Sequence, residues 1–156
     1  TNKAQKFGEI SAQMMVQVDG KDQTLQQASV HLKSIDRDKR KAVFELINAR
    51  RTEDQTSLDV LLDELIAKRQ ELARNANFEN FRDYKFQAMG RFDYTKEDCF
   101  DFHTSIEKEI VPLITDIHQE RKSLLGVKVL KPWDMQVDPN GNEPLKPFDG
   151  GEDLLD

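Results

Sequence analysis

Residues 14–28, MMVQVDGKDQTLQQA, carry the clearest local folding signals in this chain. Val16 and Val18 alternate with polar Gln17, which is the pattern of a half-buried β-strand. Asp19 and Gly20 follow, and this pair readily adopts the positive φ angles that a tight hairpin turn needs. The stretch therefore predicts a β-hairpin near the N-terminus.

Helical patterns occupy most of the chain after the hairpin. Thr24 with Gln27 has the form of a capping box, so a short helix is expected from Leu25 to Lys33. Asp36 is a candidate N-cap for a second helix that reaches about Arg51. A third helix is indicated by apolar residues spaced three and four apart, and we expect this stripe to form core contacts: Leu58, Leu61, Leu62, Leu65, Leu72 and Ala73.

An aromatic-rich segment follows the third helix. It predicts a short helix from Asn80 to Met89, closed by Gly90 in the left-handed conformation. The rings could form a hydrophobic groove for a peptide, or they could simply pack adjacent helices together. General burial habits favour packing. The rings concerned are Phe78, Phe81, Tyr84, Phe86 and Phe92.

The last predicted helix is the longest. Thr95 with Asp98 marks its start and Gly126 its end, so it should contain roughly 30 residues and measure about 45 Å. Pro112 lies inside it and predicts a kink, because proline cannot donate the backbone hydrogen bond of its turn. The periodic apolar residues are Phe102, Ile106, Ile110, Leu113, Ile114, Ile117 and Leu124.

The C-terminal part has a different character. Residues 127–130, VKVL, predict a short strand, and the following tail contains four of the five prolines and a turn signal at 139–141. Gly150 and Gly151 predict a further turn, and residues 152–155 resemble a helix start. The predicted fold is mainly α, with a small β-hairpin near the N-terminus and an extended, Pro-rich C-terminal tail. We expect one segment over 1–156, with the hairpin at 11–24, a helical body at 25–126 and a strand and loop tail at 127–156.

Composition excludes several classes of protein. The 156 residues are 37% hydrophobic and 33% charged, and no apolar stretch is long enough to span a membrane. Residues 131–156 hold seven acidic residues and two lysines, which leaves 22 acidic and 21 basic residues in the nearly neutral body. No basic stripe with interleaved aromatic residues is present, so nucleic-acid binding is not expected.

The N-terminus and the cysteine content suggest a compartment. The first ten residues lack the apolar region of a signal peptide, and the missing initiator Met suggests an excised piece. Cys99 is the single cysteine and cannot form an internal disulfide. A reducing, cytoplasmic location is therefore predicted.

Residues that could carry catalysis are sparse. His31, His103 and His118 are the three histidines, and none belongs to an H-E-x-x-H zinc motif. His103 and Glu107 are four apart and could share a metal, although an ordinary surface pair is favoured. Cys99 is expected to be a buried, inert thiol. Glycine-rich phosphate loops are absent, so the residues alone predict no catalytic, cofactor-binding or metal site.

The amino-acid sequences of five segments nevertheless resemble a known family. In order, they are MMVQVDGKDQTLQQA, DRDKRKAVFELINARR, LDVLLDELIAKRQELARNANFENFRDYKF, RFDYTKEDCFDFHTSI and VKVLKPWDM. Together they resemble the thimet oligopeptidase-like zinc metallopeptidases, and most closely the oligoendopeptidase F branch. The resemblance covers most of residues 8–156 and rests on several linked segments.

This resemblance implies a zinc peptidase that cleaves short peptides in a channel between helical lobes. The family's zinc ligands, an H-E-x-x-H motif and a later glutamate, lie further along than the segment resembled here. None of them can be carried over to this chain. The resemblance therefore implies a helical scaffold or channel wall that is not catalytic alone, with zinc in the parent enzyme and none expected here.

The expected partners are the rest of the parent peptidase and, through it, short peptides; isolated faces should also favour self-association. Candidate channel-lining residues are Phe81, Tyr84, Phe86 and Trp133, the last beside Asp134. Trp133 could equally lock the tail onto the helices, and the usual burial of tryptophan favours that role. Two other hypotheses remain open: a freestanding helical protein-interaction module, and a metal enzyme that uses His103, Glu107 and His118.

Overall fold

The structure, a computed structural model, describes residues 2–145 and is mainly helical. It confirms the predicted fold class, a helical chain with a two-stranded β-hairpin near its N-terminus. Three shorter turns are also present: 3-10 turns at Val30–Lys33 and Pro132–Asp134, and a π-helical turn at Ile106–Ile110. The elements are α1 (Asn2–Ala12), β1 (Met15–Val18), β2 (Lys21–Thr24), α2 (Leu25–Ser29), α3 (Arg37–Glu53), α4 (Gln55–Asn75), α5 (Phe81–Ala88), α6 (Lys96–Ser105) and α7 (Val111–Leu124).

Contacts divide the described residues into two compact units. One contains residues 2–13 and 52–117, and the other contains residues 14–51 and 118–145. The predicted organisation as one segment, with a hairpin, a helical body and a tail, stays a prediction. Helix α1 was not expected from the sequence.

The hairpin is built as its sequence predicts. Strands β1 and β2 pair antiparallel, with Val16 opposite Gln23 and Val18 opposite Lys21. Asp19 and Gly20 both take positive φ angles, 52° and 74°, which turn the chain between the strands. The inward face of β1 packs with α2, the following 3-10 turn and α3 in one core of Val16, Val18, Ala28, Leu32, Val43 and Ile47.

Two predicted helix starts in this unit are confirmed by their caps. The Oγ1 of Thr24 accepts from the backbone N–H of Gln27 at 3.2 Å, and the Gln27 side chain accepts from the Thr24 N–H at 2.9 Å. Asp36 Oδ1 accepts from the N–H groups of Asp38 and Lys39 at the start of α3. These bonds satisfy backbone donors that have no partner within a first helical turn.

Helix α4 organises the other unit, where it contacts α1 and α5. Lys3 of α1 forms an ion pair with Glu64 of α4. Leu61 and Ala73 are buried, but Leu62 and Leu72 are exposed. The prediction that the whole α4 stripe forms core was therefore wrong for these two leucines. In the described part of the chain, the neighbours of α4 cover only part of its circumference.

The long C-terminal helix begins at the predicted cap. Thr95 and Asp98 form a capping box, with the Asp98 N–H donating to Thr95 Oγ1 at 3.2 Å. The helix continues through α6, the π-helical turn and α7, where the N–H of Val111 donates to the carbonyl of Ile106, five residues back. This wider turn directly precedes Pro112 and accommodates a residue that lacks the N–H donor. The kink predicted at Pro112 stays a prediction.

The tail differs from its prediction in one respect. Residues 127–130 form no strand, so that prediction was wrong. The described sheet contains only β1 and β2, and a strand needs a neighbour to pair with its backbone groups. The turn predicted at 139–141 is confirmed, because the Gly141 N–H donates to the Asp138 carbonyl and Gly141 has a φ of 77°. The turn predicted at Gly150 and Gly151, and the helix start at 152–155, lie outside the described residues.

Candidate functional site

Aromatic rings cluster around α5. The Tyr84 ring lies 5.6 Å from the Phe78 ring and 5.9 Å from the Phe81 ring, measured between centroids. Phe86 meets Tyr94 edge to face at 5.3 Å. Phe81, Tyr84 and Phe86 are each half-buried. Three of the four sequence-predicted channel residues therefore lie on one helix, Phe81 and Tyr84 in one group of rings and Phe86 in another.

Polar and cationic groups fix this cluster to its surroundings. The Oε1 atom of Gln70 on α4 accepts from the backbone N–H of Phe81 at 3.2 Å, which ties the start of α5 to α4. The Arg69 guanidinium lies 5.8 Å from the Phe81 ring centroid, and that of Arg91 lies 5.4 Å from the Phe86 centroid. Such cation–π contacts are favourable at these distances. The geometry agrees with packing between helices, and a channel-lining role stays a prediction.

An ionised carboxylate lies beside the rings. Asp83 accepts from Arg82 Nε at 2.8 Å and from Asn80 Nδ2 at 3.0 Å, and Lys96 Nζ lies 3.5 Å away. The Arg82 hydrogen bond, followed by that from Asn80, lowers the pKa of Asp83 to about 2. Asn80 also caps α5 by accepting from the Asp83 N–H at 3.0 Å, which confirms the predicted start of this helix.

Trp133, the fourth candidate, belongs to the other unit and packs on α3. Its ring lies 5.6 Å from the Phe44 ring and 6.0 Å from Lys41 Nζ. Its indole Nε1 is buried, and no hydrogen-bond partner for it occurs within residues 2–145. These contacts agree with the interpretation that Trp133 locks the tail onto the helices. Its expected role as a channel residue stays a prediction.

Asp134, next in sequence, is fully buried and ionised. Arg37 donates to both carboxylate oxygens, from Nε at 2.9 Å and from Nη2 at 2.8 Å. Arg40 Nη2 donates at 3.1 Å, and the backbone N–H of Lys131 donates at 3.0 Å. Burial alone would raise the pKa of Asp134, but the hydrogen bonds from Arg37, Lys131 and Arg40 outweigh it and lower the pKa to about 2.

Arg40 joins this carboxylate to the backbone around it. The side chain is buried, and it donates to the carbonyls of Trp133 at 2.9 Å, Ser34 at 2.8 Å and Ile35 at 3.0 Å. Arg121 adds bonds from Nη1 to the carbonyls of Asp134 and Val137, at 3.2 and 2.8 Å. We call this group of Arg37, Arg40, Arg121 and Asp134 the Asp134 lock.

The arginines of the Asp134 lock are not among the functional residues predicted from the sequence. Arg40 lies three residues before Val43 and seven before Ile47, so it shares the buried face of α3. An arginine on a buried helix face requires an acidic or carbonyl partner, and this pattern could have indicated one. The sequence gives no comparable signal for which of the many carboxylates that partner is.

A shallow cleft of about 330 Å³ lies beside the Asp134 lock, with Ile35, Arg37, Arg40, Leu124 and Val137 among its lining residues. The guanidinium groups of Arg37 and Arg40 are already engaged with Asp134. The cleft therefore shows no unpaired buried polar group that would indicate a ligand.

The other sequence candidates do not converge. Within residues 2–145, no three His, Cys, Asp or Glu side chains are grouped to hold a metal ion, and this includes His103, Glu107 and His118. Cys99 is half-buried, so the prediction of a buried thiol was wrong, because α6 is only partly covered in the described chain. None of the described helices combines the length and apolar character needed to cross a membrane.

Comparisons with known proteins identify the wider architecture. Three solved structures match 90% of this chain: an oligoendopeptidase F of Bacillus anthracis strain Ames, at 26% identity and a TM-score of 0.85; a second oligoendopeptidase F, at 26% and 0.86; and PZ peptidase A with an inhibitor, at 28% and 0.86. The match covers 26% of the first structure and 25% of each of the others, so the chain spans about a quarter of their length. Among curated proteins, none matches.

The model of peptidase family M3 matches residues 30–149, which is well over half of the chain. The matched region contains α3 to α7, the aromatic cluster and the Asp134 lock. It also contains four of the five segments whose amino-acid sequences resemble oligoendopeptidase F. This chain therefore belongs to peptidase family M3.

Proposed function

We propose that this chain is a segment of a zinc metallo-oligopeptidase that hydrolyses short peptides, and that it supplies helical scaffold and channel wall. The observation that carries the proposal is the family M3 match over residues 30–149. The similarity to oligoendopeptidase F structures about four times as long supports it. The segment is not catalytic alone under this proposal.

The residues of this chain do not fit a zinc site. Peptidases of family M3 are zinc-dependent in general. This sequence contains no H-E-x-x-H motif, and its described residues group no three suitable ligands. The zinc and the catalytic residues would therefore come from the rest of the parent chain, where the metal would activate the attacking water.

The contribution of this segment is positional. The Asp134 lock holds residues 131–137 against α3, and Gln70 fixes the start of α5 to α4. Rigid elements of this kind suit a wall that must keep its shape while a peptide binds. Phe81, Tyr84 and Phe86 would offer the peptide apolar ring surface, with Trp133 as a further lining residue. We propose a cytoplasmic location for the parent enzyme, because this segment has a single cysteine and so no internal disulfide.

A freestanding helical interaction module is the alternative function. Exposed apolar residues along α6 and α7 favour it, because such surfaces commonly mark interaction sites. The same surface is expected if the chain is part of a larger fold. The two functions differ in whether the natural product is longer than this chain.

The test begins with the complete open reading frame that carries this sequence. The expected product continues into an H-E-x-x-H motif, binds zinc and hydrolyses a quenched fluorescent peptide, and chelation abolishes the hydrolysis. The 156-residue chain alone should show neither bound zinc nor hydrolysis. A reading frame that ends without the motif, or hydrolysis by this chain alone, would contradict the proposal.

The channel-wall role needs its own measurement in the complete product. Phe81→Leu and Phe86→Leu should raise KM for the peptide while leaving zinc content unchanged. Phe7→Leu is the matched control, because Phe7 is an exposed ring on α1, away from the α5 cluster in sequence. Equal effects of all three substitutions on KM would count against a lining role for the α5 rings.

A further inference from the structure

An apolar surface runs along the long C-terminal helix and is largely exposed within residues 2–145. It consists of Phe102, Ile106, Ile110, Leu113, Ile114 and Ile117, which we call the apolar stripe. The exposed fractions are 63% for Phe102, 46% for Ile110, 54% for Leu113, 42% for Ile114 and 47% for Ile117. Ile106 is half-buried.

This pattern differs from an ordinary solvent-facing helix. Apolar residues at spacings of three and four mark the face that a helix buries against a neighbour. The intervening positions carry polar residues such as Asp101, Lys108 and Asp116, all of them exposed. The helix is therefore amphipathic, yet its apolar face remains largely uncovered in the described part of the chain. Contiguous exposed apolar surface of this kind marks an interaction site.

The π-helical turn helps to keep the stripe on one side of the helix. Phe102, Ile106, Ile110 and Ile114 are four residues apart, whereas an α-helix completes a turn in 3.6 residues. An uninterrupted α-helix would carry each successive member further around the axis. The wider turn at Ile106–Ile110 takes in an extra residue and so reduces that drift.

We propose that the apolar stripe is the docking surface for the remainder of the parent peptidase, through an apolar helical face that lies outside the segment matched here. This inference rests on the proposed function. It adds the specific surface through which the segment joins the rest of the enzyme.

Two observations favour this occupant. The solved family relatives are about four times as long as the part that this chain matches, so three-quarters of each relative is formed by residues outside the match. The stripe itself contains no charged residue, which suits an apolar face and not an acidic or basic ligand. A second copy of this chain is the competing occupant, and the test separates the two.

The test measures how fast a single cysteine reacts with a maleimide. Cys99→Ser removes the native thiol, and Ile114→Cys or Thr115→Cys then places one reporter on or beside the stripe. Thr115 is the matched control, because it is exposed, is β-branched like Ile114 and lies outside the stripe. Labelling is followed at the peptide containing residue 114 or 115 by mass spectrometry. The measurement is made on the 156-residue chain and on the complete product.

In the 156-residue chain at low concentration, both reporters should react at similar rates. In the complete product, the Ile114→Cys reporter should react at least about tenfold more slowly, while the Thr115→Cys reporter keeps its rate. Equal rates at both positions in the complete product would overturn the proposal. Protection of residue 114 in the short chain that rises with concentration, together with a dimer mass by light scattering, would assign the stripe to a second copy and would also overturn it.

Peptide hydrolysis by the complete product is recorded separately. An active product with an unprotected stripe would refute the docking surface and leave the peptidase function intact. An inactive product with a protected stripe would support the docking surface and contradict the peptidase function.

Discussion

Arg37 and Asp134 are 97 positions apart in sequence, yet Arg37 donates two parallel hydrogen bonds to both oxygens of the Asp134 carboxylate, at 2.9 and 2.8 Å. Arg37 begins α3, whereas Asp134 ends a 3-10 turn in the tail. A bidentate arginine–carboxylate pair fixes orientation as well as distance. The pair therefore defines where residues 131–137 return to α3 within their unit.

Removing this carboxylate should be costly. Asp134→Ala leaves the buried guanidinium of Arg40 without its counter-charge, and breaking a buried ion pair in this way typically costs about 3–5 kcal/mol. Urea unfolding followed by the fluorescence of Trp133, the single tryptophan, measures the loss. Asp116→Asn is the control, because Asp116 is exposed on α7 and its replacement should change stability little. A loss below about 1 kcal/mol for Asp134→Ala would contradict the assigned role.

The same carboxylate should make stability depend on acid pH. The pKa of Asp134 is about 2 in the folded chain, below the ordinary value of 3.8, so folding favours its ionised form. Its contribution, about 2 kcal/mol, is present at pH values above 4 and is lost as the pH falls toward 2. Urea unfolding of the unsubstituted chain and of Asp134→Asn, at several pH values from about 6 to about 2, measures this contribution to stability.

The two stability curves should converge as the pH falls, because protonation removes from the native chain the charge that the variant lacks throughout. Asp83, whose pKa is also about 2, is present in both proteins. It adds the same pH dependence to both stability curves, so its effect cancels when the two curves are compared. A difference that stays constant over the whole range would show that the Asp134 charge does not contribute.

Arg37 and Arg40, which both bond to Asp134, should not tolerate replacement by lysine equally. Arg40 is buried and donates to three carbonyls as well as to Asp134, a set of bonds that a single ammonium cannot reproduce. Arg37 is partly exposed, and within residues 2–145 its side chain bonds to the Asp134 carboxylate alone. Arg40→Lys should therefore cost about 2–4 kcal/mol, and Arg37→Lys about 1 kcal/mol. Equal losses in urea unfolding would indicate that the carbonyl contacts of Arg40 contribute little.

The cap of the long helix provides a milder test. Thr95→Ala removes the oxygen that accepts from the Asp98 N–H, and the loss of such an N-cap typically costs about 1 kcal/mol. Thr104→Ala is the matched control, since Thr104 lies inside α6 and its hydroxyl donates to the Phe100 carbonyl. Alanine favours helix interiors, so this control should be neutral or slightly stabilising. Circular dichroism during thermal unfolding measures both changes.

Local signals in the sequence predicted the local structure well. Asp19-Gly20, Thr24 with Gln27, and Thr95 with Asp98 each act through neighbours within three residues, so their geometry follows from adjacent side chains and backbone. The strand predicted at 127–130 failed for a different reason. Apolar alternation is not sufficient, because a strand also requires a partner, and that depends on the rest of the fold.

Contacts between residues far apart in the sequence could not be predicted from local patterns. The bond from Arg40 to Trp133 joins residues 93 positions apart, and no spacing rule links them. The aromatic segment was correctly placed on a short helix, but only the structure shows that Gln70 and Arg69 of α4 hold it. The sequence also contains periodic apolar residues along the long helix. Most of that stripe is exposed here, because burial depends on which elements are present to cover it.

The π-helical turn at Ile106–Ile110 has a consequence for how this segment tolerates insertions and deletions. Each residue of an α-helix advances the chain by about 100° around the axis. The π-helical turn already contains one residue more than an α-helical turn, so deleting one residue there would restore an ordinary turn and leave Leu113, Ile114 and Ile117 on nearly the same side as Phe102. The same deletion within α6 or α7 would rotate the stripe residues beyond it by about 100° and divide the apolar stripe between two sides of the helix. A one-residue deletion should therefore be far less damaging at this turn than elsewhere in the long helix.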